Sequence, residues 1–120
     1  MAESEENVRR VKYSEKLRDP RWQKLRLQVF ERDEWTCQLC GDTGSTLAVN
    51  HKYYLSSKEP WEYPIDALNT LCESCHSNEY ESRPEAEQQV LLALRVKGFC
   101  AADVQDFAIG FFNMQLLHLP

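Results

Sequence analysis

Cys37-Gln-Leu-Cys40 and Cys72-Glu-Ser-Cys75 are two cysteine pairs with the same internal spacing, separated by 31 residues. A two-residue spacer lets one tight turn present two sulfurs to the same ion, and four thiolates at about 2.3 Å suit a tetrahedral structural Zn²⁺. His76 follows Cys75 directly, and His51 closes an apolar run between the pairs. A zinc unit of this kind would fix His76 relative to the segment carrying His51. Two rigidly placed imidazoles suggest a second, chemical site. Two alternatives stay open: the histidines can be hydrogen-bonded structural imidazoles, or His76 can join the zinc in place of its neighbour Cys75.

Cutting a phosphodiester bond needs a nucleophilic water, stabilisation of the charge on phosphorus and help for the departing oxygen. A neutral histidine and one divalent cation can meet these needs. The stretch Leu47-Ala48-Val49-Asn50-His51, followed by Leu71-Cys72-Glu73-Ser74-Cys75-His76, resembles the HNH endonucleases over roughly residues 13–81. The resemblance implies an α+β fold: a small zinc-stabilised ββα-metal (His-Me finger) core, flanked by an N-terminal helix and C-terminal helices. It implies DNA, double-stranded, as substrate, with 5′-phosphate ends. His51 would be the general base, and Asn50 and His76 would hold a catalytic Mg²⁺ or another divalent ion. The chain departs from the family pattern at three places. Asn50 stands where Asp or His is usual, Ala67 where an asparagine is usual, with Asn69 two residues later, and Tyr80 where some members carry a further histidine ligand. An asparagine carbonyl brings no charge to a metal and a neutral phenol is a poor ligand. A module that binds DNA or a protein without cutting is the other expectation.

The elements that must position these residues can be read in order. Residues 1–12 are charged and lack apolar anchors, which predicts a disordered tail. Asp19 and Pro20 read as N-cap and first residue of a helix over about 20–32, with Trp22, Leu25 and Val29 facing the zinc unit and Arg21, Lys24 and Arg32 outward. Leu47 to Tyr54 read as a strand. Residues 55–64 form a structured loop whose Trp61 and Tyr63 either pin it to the core or stack on a nucleotide. A short second strand around Ala67 to Leu71 leads to the second knuckle, and a helix carries His76 to about Glu81. Arg83-Pro84-Glu85 restarts a helix that stops at Gly98. A last helix over about 102–117 has a wide apolar surface, which either completes the core or meets a protein partner or a second copy. The expected domains are 13–81 for the zinc-bound unit and 82–120 for a helical extension packed on it. Cys100 reads as a small buried residue, and His118 as incidental.

At 120 residues the chain suits one domain with help from a metal. Its net charge of −5 argues against blanketing nucleic acid, but the distribution is uneven. Eight of the cations lie between Arg9 and Arg26 against only Glu15 and Asp19. Arg18, Arg21, Lys24 and Arg26 there, with Lys52 beyond, are the expected phosphate contacts. The start Met1-Ala-Glu-Ser-Glu-Glu-Asn has no secretion pattern, and no apolar run is long enough for a bilayer. The expectation is a cytoplasmic protein whose reduced cysteines bind metal rather than form disulfides.

Overall fold

The computed structural model describes residues 12–117. The tail through residue 11, with Arg9 and Arg10, and His118 lie outside the described residues. The chain divides into two compact units, Met1–Glu79 and Tyr80–Pro120. In the first, a helix and a two-stranded antiparallel sheet enclose the core.

Helix α1 spans Pro20–Arg32, as the sequence predicts. Asp19 caps it: its Oδ1 accepts from the Arg21 backbone N–H at 2.8 Å, and Pro20 at the first position needs no partner for a missing N–H. Trp22, Val29 and Phe30 are buried and Leu25 packs beside them. The helix is closed by two residues in the left-handed region, Glu34 and Trp35, both at φ 55°. Neither is glycine. The turn is held by the Trp35 N–H donating to the Phe30 carbonyl at 2.9 Å and by the Trp35 ring against Phe30 at 5.1 Å.

Strand β1, Leu47–His51, pairs antiparallel with β2, Leu68–Cys72, from Leu47 opposite Cys72 to His51 opposite Leu68. β1 is three residues shorter than the sequence suggests. Its partner begins only after a 3₁₀ turn at Ile65–Ala67, so the Lys52 N–H reaches the Ala67 carbonyl at 2.8 Å and Tyr53 and Tyr54 have no strand to pair with. Alternation puts Val49, His51, Leu68 and Thr70 on one face and Ala48, Asn50, Asn69 and Leu71 on the other. Val49 and Leu68 join Trp22, Val29, Phe30, Tyr63 and Ala67 in the main core.

Arg32 is exposed as expected, and it also ties α1 to the sheet. Its Nη1 donates to the Ile65 carbonyl at 2.7 Å and its Nη2 to that of Leu68 at 2.6 Å. The adjacent Asp33 accepts from Arg32 Nε at 2.8 Å and from the Thr70 backbone N–H at 2.8 Å. The Gln38 N–H completes the row by donating to the Thr70 carbonyl at 2.9 Å. The loop before β2 is pinned as the aromatics suggest: Tyr63 is buried with its hydroxyl on the Leu55 N–H at 2.8 Å, and Trp61 packs on the core with the Arg21 guanidinium 4.1 Å above its ring.

Helix α2 runs without interruption over Glu73–Val96, correcting the expected break near Glu81. Pro84 lacks only its own N–H, so a single carbonyl, that of Tyr80, loses a helical donor, and the flanking turns carry the helix through. The helix ends as predicted at Gly98, at φ +96°, where the Gly98 and Phe99 N–H groups donate to the Arg95 and Leu94 carbonyls, both at 3.0 Å. Helix α3, Ala101–Leu117, follows. Cys100 is exposed rather than buried, because it is the residue that starts this helix: its backbone N–H donates to Asp103 Oδ2 at 2.7 Å. Among the described residues, α3 keeps several large apolar side chains exposed. Phe111 and Phe112 are 68% and 70% exposed, and its ring contact in this unit is Phe107 against Phe99 at 5.2 Å.

Candidate metal centre and the histidine pocket

The first cysteine pair sits in a tight turn. The Cys37 N–H donates to the Asp42 carbonyl and the Gly41 N–H to the Cys37 carbonyl, both at 2.9 Å, with Gly41 at φ +80°. Asp42 steadies the exit by accepting from the Gly44 N–H at 2.8 Å and from the Ser45 hydroxyl. The second pair straddles the junction of β2 and α2, and the Cys75 N–H points at Cys72 Sγ at 3.4 Å. The link from Gln38 to Thr70 brings the two turns together. All four sulfurs lie within 4.8 Å of one another, and Cys40 Sγ is 3.8 Å from Cys72 Sγ. Tetrahedral zinc with ligands at about 2.3 Å sets its sulfurs about 3.8 Å apart. The cluster could therefore hold a metal ion, and its chemistry suits zinc. Cys75, not His76, completes it.

Cys37, Cys40 and Cys75 differ in acidity. Burial pushes Cys37 up, but the backbone N–H groups of Cys40, Cys72 and Leu39 outweigh it and bring the thiol to about 6. Cys75 goes the other way, pushed up to about 12 by its hydrogen bond to Cys72 and by burial. Four thiolates this close cannot all ionise on their own charge, and a divalent cation removes the conflict.

His51 is 3% exposed and enclosed by aromatic rings. Trp22 stacks on it at 5.2 Å and Tyr54 at 5.1 Å, and Tyr63 meets it edge-on at 4.9 Å. Its Nε2 lies 3.2 Å from the Pro60 carbonyl oxygen. A carbonyl only accepts, so Nε2 carries the proton and Nδ1 is the basic nitrogen of the neutral ring. The ring borders a cavity of about 100 Å³ whose walls include Lys16, Lys58, Tyr54 and Tyr63.

The other predicted residues are distributed differently. Asn50 is buried on the opposite strand face from His51, and its Nδ2 donates to Oδ1 of Asn69, its direct cross-strand partner, at 3.0 Å. Ala67 is buried in the core. His76 is half-buried in the first turn of α2, and Tyr80 is 77% exposed. Among the described residues the four cysteines are the one group of three or more His, Cys, Asp or Glu side chains placed to hold a metal. Of the predicted phosphate contacts, Arg21 is paired with Asp19, with its Nη2 at 2.9 Å, Arg26 lies over the Phe30 ring and Lys52 Nζ donates to the Asp66 carbonyl at 2.9 Å. Arg18 and Lys24 are exposed. Sequence reasoning missed Pro60, Lys58 and Lys16 as neighbours of His51, since the return of the 55–64 loop brings the first two there and the helical segment before α1 brings Lys16. The Asn50–Asn69 pair was readable only from the strand register.

No family model, curated protein or solved structure matches this chain.

Proposed function

We propose that the chain is an HNH-type module that hydrolyses DNA phosphodiester bonds, with a structural zinc on Cys37, Cys40, Cys72 and Cys75 and with His51 as general base. In this reading the sheet and the start of α2 are the ββα-metal core. The observation that carries it is the setting of His51: Nε2 is held by the Pro60 carbonyl, which fixes the tautomer, and the ring borders a cavity walled by two lysines. A general-base histidine needs one ring nitrogen anchored so that the tautomer is fixed, and the Pro60 carbonyl supplies that anchor. Lys16 and Lys58 bring positive charge toward the phosphate oxygens on which charge builds in the transition state.

A catalytic Mg²⁺ or similar ion, when bound, would polarise the phosphate and ease departure of the leaving oxygen. Asn50 Oδ1 and His76 are its candidate protein donors. They are two neutral groups, so most of its shell would be water and substrate oxygen, and metal occupancy rather than the base limits the rate. The second reading, a zinc-organised module that binds duplex DNA without cutting, is favoured by the Asn50–Asn69 pair, which commits the ligand position to a cross-strand amide contact.

Plasmid nicking in Mg²⁺, Mn²⁺ and Ni²⁺ tests both. The wild type should nick and His51→Gln, checked for folding by circular dichroism, should not. Asn50→Asp should lower the metal concentration needed for half-maximal rate. Equal nicking by wild type and His51→Gln would sink the catalytic reading. DNA binding without nicking at any metal concentration, in wild type and Asn50→Asp alike, would establish the second.

A further inference from the structure

The pocket beside His51 has a size and a charge that together select a ligand. At about 100 Å³ it is well below the roughly 300–1,000 Å³ of a site for a drug-sized molecule, but it has room for one small group. Two lysines, Lys16 and Lys58, line it together with Tyr13, Tyr54 and His51. The two cations are not equivalent. Lys16 Nζ is 2.8 Å from Glu59 Oε2, in an ion pair whose side chains are 44% and 38% exposed. Pairs at this exposure contribute little net stability, so a competing anion can displace the carboxylate. Lys58 is exposed and has no salt bridge to a carboxylate among the described residues.

We propose that this cavity is a phosphate subsite in which Lys58 docks the anion and Lys16 exchanges its Glu59 carboxylate for a phosphate oxygen. The inference rests on the reading that the module engages phosphodiesters, and it adds the two lysines as the groups that position the phosphate against His51. Glu59 then acts as a resident competitor. It occupies Lys16 in the absence of ligand and sets a threshold that only an anion also reaching Lys58 overcomes. Tyr54 stacks on His51 and borders the same cavity, so a ligand entering it perturbs the imidazole directly.

The test is an NMR titration of the full chain, following the His51 ring, with two probes: inorganic phosphate and the dinucleoside monophosphate of thymidine. Lys58→Gln should weaken binding about tenfold, as expected for the loss of one charged hydrogen bond. Glu59→Gln, which releases Lys16, should tighten it, and Lys97→Gln, an exposed lysine that is not among the cavity walls, should leave it unchanged. Response to the dinucleotide but not to inorganic phosphate identifies a backbone diester as the ligand, and the reverse identifies a free phosphate. No shift at His51 with either probe, or equal affinity in wild type and Lys58→Gln, overturns the subsite. Nicking of plasmid, measured separately, keeps the two ideas apart: phosphate binding without nicking defeats the proposed hydrolysis alone, and nicking with an unchanged KM in Lys58→Gln defeats the subsite alone.

Discussion

Replacing Cys37 by serine should unfold the sheet-bearing unit rather than merely loosen it. The substitution preserves volume but removes a thiolate, and the site is bonded into the core. Cys37 and Cys72 are themselves two of the ten buried apolar side chains of the described chain, packed against Leu71. A unit of roughly 80 residues has a net stability of about 4–12 kcal/mol. Structural zinc contributes about 10–16 kcal/mol at neutral pH in small zinc-dependent folds, so its loss is as large as, or larger than, the whole margin. The first knuckle would also release the Gln38 N–H from the Thr70 carbonyl and free one side of β2. Elemental analysis should give one zinc per chain, and far-UV circular dichroism should show the cooperative melt lost in Cys37→Ser and in wild type treated with a strong chelator. Protein purified without chelators that contains no zinc, or a chelated sample with an unchanged melting curve, would refute this reasoning.

Three further outcomes are expected. Leu68→Ala, at a fully buried core position, should cost about 2–5 kcal/mol in denaturant titration, whereas Leu39→Ala, 62% exposed, should stay within about 0.5 kcal/mol. Burial raises the Asp33 carboxyl, but Arg32 and the Thr70 N–H outweigh it and hold it below its ordinary value of 3.8; a lowered folded-state value gives stability that is present above the ordinary value and lost as pH falls through the lowered one. Asp33→Asn should therefore be less stable at pH 7, and the gap in melting temperature between it and wild type should close on acidification below about pH 4; a constant gap down to pH 2 would rule this out. Pro84→Ala restores a donor to the Tyr80 carbonyl and should stabilise α2 by up to about 3 kcal/mol, read as a rise in helical signal and melting temperature; a fall in either would mean that the proline is required where it stands.

Local signals in the sequence were reliable where a short stretch decides the structure alone. Asp19-Pro20 starts α1, Gly98 ends α2, and the two cysteine pairs converge as their spacing implies. Signals failed where the outcome depends on a distant partner. β1 stops at His51 because β2 begins late, and that follows from the 3₁₀ turn at Ile65–Ala67 rather than from anything in Lys52-Tyr53-Tyr54. Pro84 looked like a helix start, yet a helix already stabilised on both sides tolerates one missing donor. His51 and His76 were legible as residue types, but Tyr63 and Lys58 reach His51 only because a ten-residue loop folds back, Trp22 and Lys16 come from outside that loop, and the Asn50–Asn69 amide depends on the strand register. The wide apolar surface expected of α3 is visible as exposed Phe107, Ile109, Phe111, Phe112 and Met114.

The outer side of β2 carries a consequence for assembly. A two-stranded sheet normally offers its free backbone groups to any passing strand, and such edges invite unwanted pairing. Here the Leu68 carbonyl accepts from Arg32, the Thr70 N–H donates to Asp33 and the Thr70 carbonyl accepts from Gln38. Two charged side chains and one turn of the cysteine knuckle stand in for a third strand. A partner that recruits peptides by extending the sheet would find this side already bonded. The same arrangement protects the nascent sheet from joining a neighbouring chain, provided α1 has formed and the cysteine turn has closed.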